Sequence, residues 1–158
     1  MTPRQIAFAA GIALAAMGLF LAALWSPERQ VRLHQENLLE AVADRDWERL
    51  TRFMADDYSD RWGQDKANII DAAREAFGQF VFLKISMEEP AVSAPNETGR
   101  VVTKLKVQGQ GGPIAHAVVE EAAELRQPFT FDWQRQSWKP WNWALVRMDQ
   151  RELEIPEL

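Results

Sequence analysis

The chain contains no cysteine, one tyrosine and two histidines in 158 residues. Without cysteine there is no disulfide framework and no thiolate nucleophile, and the chain is compatible with either redox compartment. The two histidines, His34 and His116, lie far apart in sequence, with no H-E-x-x-H or comparable ligand spacing. That argues against a metal centre, and no cofactor is expected. There is no G-x-S-x-G nucleophile elbow. Gly109-Gln110-Gly111-Gly112 lacks the lysine and the strand–helix setting of a phosphate loop and reads as a turn. Basic excess is lacking too: 18 Lys and Arg stand against 23 Asp and Glu, a net charge of −5. Nucleic-acid binding needs a basic face, so no such partner is expected, and neither is a grip on anionic lipid beyond a membrane anchor.

Charge is missing most completely between Ile6 and Trp25, a run of twenty residues (IAFAAGIALAAMGLFLAALW). As a helix it spans roughly 30 Å, the thickness of a bilayer's hydrocarbon core. Its eight Ile, Leu and Phe residues favour insertion. A cleaved signal peptide is the rival reading, but the run is long for one and its end, Ala22-Ala23-Leu24-Trp25-Ser26-Pro27, carries no A-x-A site. Trp25 suits a bilayer interface. The expectation is a short tail (1–5), one transmembrane helix (6–25) and a domain (27–158). It makes the chain a single-pass signal-anchor membrane protein with its domain on the periplasmic or extracytoplasmic side. Arg4 on one flank and Arg29 and Arg32 on the other leave the charge rule for orientation nearly balanced. Ala7, Gly11, Ala15, Gly18 and Ala22 form a stripe of small residues, which an Ala-rich helix also produces by chance.

All Asp and Glu, and every Lys and Arg except Arg4, lie beyond Ser26, in a length suited to a single core. Glu28–Arg45 reads as a helix with Val31, Leu38, Leu39 and Val42 on one face. Asp46 is placed to cap a second helix carrying Trp47, Leu50, Phe53 and Met54, and Asp65 a third carrying Ile69, Ile70, Ala73 and Phe77. The period then becomes two. Val81, Leu83, Ile85 and Met87 alternate with polar neighbours. After a loop at Glu89–Thr98, so do Val101, Thr103, Leu105 and Val107, then Phe129, Phe131 and Trp133, then Trp141, Trp143 and Leu145. These are four strands of a half-buried antiparallel sheet. Ile114–Arg126 reads as a helix between the second and third, although a strand is the alternative there.

Three helices, the third opening Asp65-Lys66-Ala67-Asn68-Ile69-Ile70, followed by a sheet ending in a Trp-rich hairpin, resemble the NTF2-like superfamily, the SnoaL and ketosteroid isomerase-like fold. The resemblance rests on element order and on Leu38, Leu39, Trp47, Phe53 and Trp143-Ala144-Leu145-Val146. It implies an α+β cone, with three helices packed on a curved antiparallel sheet. The usual first hairpin is shrunk to Asp57–Trp62, and the Ile114–Arg126 helix is an insertion. The fold hosts many functions.

The resemblance also implies a pocket inside the cone. In isomerase-like relatives an acid near the first strand is the base, and a tyrosine with a second acid holds the oxyanion. Asp57 or Asp60 is the nearest base and Tyr58 the one tyrosine, but Asp132 alternates away from the pocket, so the second acid is missing. The pocket candidates are therefore Tyr58, Asp60, Trp62 and Arg147, the last placed by alternation on the Trp143–Leu145 face. No residue is assigned a catalytic role, and the acidic turn reads more simply as solvated. Trp138, between the last two strands, is the candidate for docking a protein partner. Val102, Ala144, Val146 and Met148 alternate onto the sheet's outer face, where an apolar stripe favours a homodimer. Two functions fit. One is a non-catalytic domain that binds a partner or builds an envelope scaffold, similar in layout to the inner-membrane scaffold subunit of type IV secretion systems. The other is a small-molecule binder or an isomerase- or lyase-type enzyme using the cone. A polar pocket inside the cone would favour the second.

Overall fold

The computed structural model describes residues 3–153. Within them the order is α1 (Pro3–Leu24), α2 (Pro27–Asp44), α3 (Trp47–Phe53), α4 (Lys66–Phe77), β1 (Phe80–Ser93), β2 (Thr98–Gly111), α5 (Pro113–Glu124), β3 (Phe129–Arg135) and β4 (Trp143–Asp149). The strands form one antiparallel sheet in chain order, with β1 and β4 at the edges. Helix α2 lies across the sheet, α3 and α4 pack beside it, and α5 covers β2. This is the expected α+β arrangement, with the expected helix present between β2 and β3.

Local chemistry explains the helix ends. Pro27 sits in the first turn of α2, where its missing N–H is no loss. The Asp46 and Asp65 carboxylates accept the amides of Arg49 and Asn68, each at 2.9 Å, capping α3 and α4. Helix α2 ends at Arg45 in the left-handed conformation (φ 57°), and the Arg45 guanidinium donates to the Phe80 carbonyl at the start of β1. The expected apolar face of α2 is buried: Val31, Leu38, Leu39 and Val42 all sit in the core. Each such side chain stabilises the fold by roughly 1.5–3 kcal/mol.

Helix α1 spans 22 residues. Among the described residues no helix is long and apolar enough to cross a membrane. The described side chains of α1 begin at Ala10 and omit Ala22, so the side chains at the start of the apolar run, and those of the stripe members Ala7 and Ala22, lie outside what is described. Ile12, Leu14, Met17, Leu19, Phe20 and Leu21 are all exposed.

The sheet departs from strict alternation in three places. A register shift between Phe80 and Phe82 turns Phe80 into the core and leaves Val81 83% exposed, the reverse of the expected parity. The expected loop at Glu89–Thr98 is mostly strand. β1 runs on to Ser93 through a second irregularity between Glu88 and Ala91, where Glu89 takes φ 49°. Pro90 is tolerated because β1 is an edge strand. The third shift lies between β3 and β4. Trp133 pairs with Leu145 but Asp132 pairs with Arg147, so Val146 is the extra residue of a bulge. Beyond it the faces exchange. Met148 packs against the core, and Arg147 joins Arg100 and Asp132 on the outer face. Ala144 is buried as well. The expected apolar outer stripe is therefore replaced near this bulge by charge. Trp141 also lies in the turn before β4 rather than in the strand, and it is exposed.

Two glycines set close approaches. The ring of Phe80 lies over Gly109, where a Cβ would meet it at 2.5 Å, and β2 continues to Gly111, paired with β1 there, where the sequence suggested a turn. A Cβ on Gly99 would lie 2.5 Å from Val31 Cγ2 and 3.1 Å from its Cγ1. Gly99 thus lets α2 rest on the sheet. Gly99→Ala is expected to destabilise the domain by about 1–3 kcal/mol through overpacking against a stiff, fully buried valine. Adding Val31→Ala should give a double variant more stable than the sum of the two single effects. Urea unfolding of the four proteins reads this directly, and strict additivity would contradict the contact.

Candidate functional site

The space between the first half of α2 and strands β2–β4 is occupied by side chains, and a cleft of about 280 Å³ lined by Glu36, Leu39, Ile85, Met87 and Pro90 lies between α2 and β1. Trp133 from β3 is 1% exposed, and Phe131, Val101, Thr103, Trp143 and Leu145 are buried beside it. The Trp133 indole donates to Gln35 Oε1 of α2 at 3.0 Å. Gln35 is fully buried, and its Nε2 has no partner. His34 stands edge-on to both Trp133 and Phe53, 5.9 Å between ring centres in each case. Its Nδ1 lies 2.8 Å from the Gln30 carbonyl. An indole N–H in a core needs an acceptor, and the glutamine supplies it from the helix. Sequence reasoning placed Trp133 in the core but missed Gln35, one polar residue among several on α2. Its position four residues after Val31 was the available signal.

Asp60 is only 6% exposed, so it does not solvate the turn. Its Oδ1 accepts the backbone amides of Trp62 at 3.0 Å and Gln64 at 2.9 Å, and its Oδ2 accepts the Tyr58 hydroxyl at 3.3 Å. The carboxylate therefore builds the Asp60–Gln64 turn, which a bridge between Ser59 and Asp65 closes. Tyr58 is buried. Its hydroxyl is held far above the usual phenol range, first by burial, then by the Asp60 charge and hydrogen bond, against smaller opposing effects of the Met148 backbone and Arg147. It stays a neutral donor. The Trp62 indole donates to the Leu153 carbonyl at 2.8 Å and ties the segment after β4 to this turn. Asp57, the other candidate base, is exposed. Asp56 pairs with Lys66 at 2.8 Å, and that hydrogen bond and charge hold its carboxyl below the usual range.

Of the four pocket candidates, Tyr58, Asp60 and Trp62 come together as one structural turn. Arg147 does not join them. It lines a cleft of about 400 Å³ on the outer face with Arg100, Thr130, Asp132, Asp149 and Arg151. Arg100 grips Asp132 there through Nε at 2.7 Å and Nη2 at 3.2 Å, and Asp132 in turn raises the Arg100 guanidinium further. Arg61 pairs with Asp149 at 3.2 Å beside it. Asp132 faces outward as the alternation implied. The Arg100–Asp132 pair depends on strand register and left no mark in the sequence. Among the described residues no group of three or more His, Cys, Asp or Glu could hold a metal ion.

Trp138, the partner candidate, is 82% exposed in the turn between β3 and β4. That turn is braced from within: Ser137 Oγ accepts from Asn142 Nδ2 at 2.8 Å, and the Trp143 indole donates to the Pro140 carbonyl at 2.8 Å.

No protein-family model and no curated protein matches the chain. Solved structures do. Bd1075 of Bdellovibrio bacteriovorus superposes with a TM-score of 0.59 at 10% identity over 77% of this chain, which spans 39% of that protein's length. A protein of the NTF2-like family from Streptomyces avermitilis gives 0.58 at 15% identity, covering 77% of this chain and 93% of its own. An NTF2-like protein from Cytophaga hutchinsonii gives 0.54 at 17%, over 77% and 94%. At these identities the likeness is one of fold: the chain has an NTF2-like fold.

Removing the Asp60 carboxylate strands two backbone amides, so Asp60→Ala should cost about 1–3 kcal/mol. Tyr58→Phe removes one long hydrogen bond, and its cost should stay near 1 kcal/mol or below. Chemical denaturation of both variants orders them. A Tyr58→Phe effect larger than that of Asp60→Ala would contradict the assignment of Asp60 as the organiser of the turn.

Proposed function

We propose that the chain is a membrane-tethered, non-catalytic NTF2-like domain that binds a protein partner or serves as an envelope scaffold. The tether is the helix at 6–25, and the domain at 27–158 lies on the extracytoplasmic side. The observation that carries this reading is the filled cone. Catalysis in such a fold needs a base within reach of a substrate held against an oxyanion donor. Here Trp133, Gln35 and their neighbours occupy that space, and the Asp60 carboxylate is engaged by two amides and a tyrosine. A single unpartnered donor is worth about 10²–10³ in rate, short of the 10⁶ or more that enzymes typically reach.

The tether is supported by the exposed apolar side chains of α1, which in water would form a large uncovered surface. Arg100, Asp132 and Arg147 lie on the outer face of the sheet, and their charge disfavours self-association through it.

Full-length protein should sediment with membranes and resist carbonate extraction, and a C-terminal alkaline phosphatase fusion should be active in a bacterial host. A soluble product beginning near Ser26 would contradict the tether. A silent phosphatase with an active cytoplasmic reporter would reverse the side. Asp60→Asn and Tyr58→Phe should leave function intact wherever the melting temperature is preserved. Loss of function at unchanged melting temperature would favour the enzyme reading.

A further inference from the structure

We infer that the turn between β3 and β4 is a second membrane contact, seating Trp138 and Trp141 in the lipid headgroup layer beside the end of α1. The inference rests on the tether proposed above. Trp25, directly after α1, is 52% exposed and meets Trp141 edge-on at 6.1 Å between ring centres. Trp141 is itself 51% exposed, and Trp138 projects from the same turn. Three exposed tryptophans at one end of the domain are costly in water. They match the chemistry of the bilayer interface, where an indole buries its rings and keeps its N–H among polar groups.

The topology places this end consistently. In the antiparallel sheet the β1–β2 and β3–β4 turns share one end, joined by the Arg135 amide donating to the Glu97 carbonyl at 2.8 Å. The first turns of α2 meet the sheet there, with Val31 against Gly99. α5, with exposed Glu120, lies at the opposite end, between β2 and β3. Arg29 and Arg32, exposed in the opening turns of α2, and Lys139, beside Trp138, make no ion pair among the described residues. Glu28 is the acid nearest them in sequence on α2. The domain is acidic as a whole, yet these cations lie where anionic headgroups would meet them. The same turn as a protein-docking surface would leave the contact with Trp25 unexplained.

The chain has no cysteine, so single nitroxide labels are unambiguous. Full-length protein carrying Leu14→Cys, Gln136→Cys or Glu120→Cys is reconstituted into mixed phosphatidylcholine–phosphatidylglycerol vesicles, and collision with oxygen and with a nickel chelate is measured by power saturation. Expected is a high oxygen-to-nickel ratio at Leu14, and a ratio at Gln136 several-fold above that at Glu120. Adding Trp138→Ser should bring Gln136 down toward Glu120. Equal ratios at Gln136 and Glu120 with Leu14 in lipid would overturn the second contact and leave the tether standing. A Leu14 label as open to nickel as Glu120 would overturn both. Protection of Gln136 from both reagents means cover by protein, and would overturn the lipid contact in favour of a second copy.

Discussion

The domain depends on how closely α2 can lie on the sheet. Two features set that distance. Gly99 has no side chain where Val31 descends, and Trp133 beside it finds its hydrogen-bond acceptor on Gln35, one turn further along the helix. The first permits the approach and the second fixes the rotation of the helix about its axis. A helix turned by one residue would bring a different side chain over Trp133 and leave a buried indole N–H unpaired, at a cost of about 1–3 kcal/mol. The Gln35 amide nitrogen is already unpartnered, so the pair is not the cheapest way to fill the space. A hydrogen bond between a helix and a strand specifies geometry in a way that apolar contact alone does not.

The same pair determines what the cone can do. In a fold whose helices and curved sheet can enclose a pocket, the volume here goes to an indole, a glutamine and the rings of His34 and Phe53. The polar groups that sequence alone would place in a pocket are used structurally. Asp60 and Tyr58 build a turn, Trp62 fastens the segment after β4, and Arg147 lies outside. What the domain offers is surface: a charged cleft on the outer sheet face, a smaller cleft between α2 and β1, and a tryptophan-bearing end beside α1.

How much of this was legible follows from the range of each interaction. Helix starts were readable because an Asp cap acts on an amide three residues on, as Asp46 and Asp65 do. The core face of α2 was readable from its own period. The sheet's existence and antiparallel character were readable too, but not its parity. The shifts at Phe80–Phe82 and at Val146 depend on partner strands, and one extra residue exchanges the faces beyond it. That is why Arg147 and Met148 changed places, and why an apolar outer stripe was expected. Asp60 was misread as solvated because its partners, the amides of Trp62 and Gln64, are backbone groups that any sequence provides.

The central claim, that the cone is closed by the Trp133–Gln35 pair, is tested most directly by hydrogen exchange at the Trp133 indole. The full-length chain in nanodiscs, labelled at its tryptophans, resolves the indole N–H signals by nuclear magnetic resonance. The account predicts that the Trp133 signal exchanges only with global unfolding, tracking the most protected backbone amides, while that of Trp138 is lost at once. Exchange at Trp133 as fast as at Trp138, with the domain folded, would mean an open, water-filled cone and would contradict it.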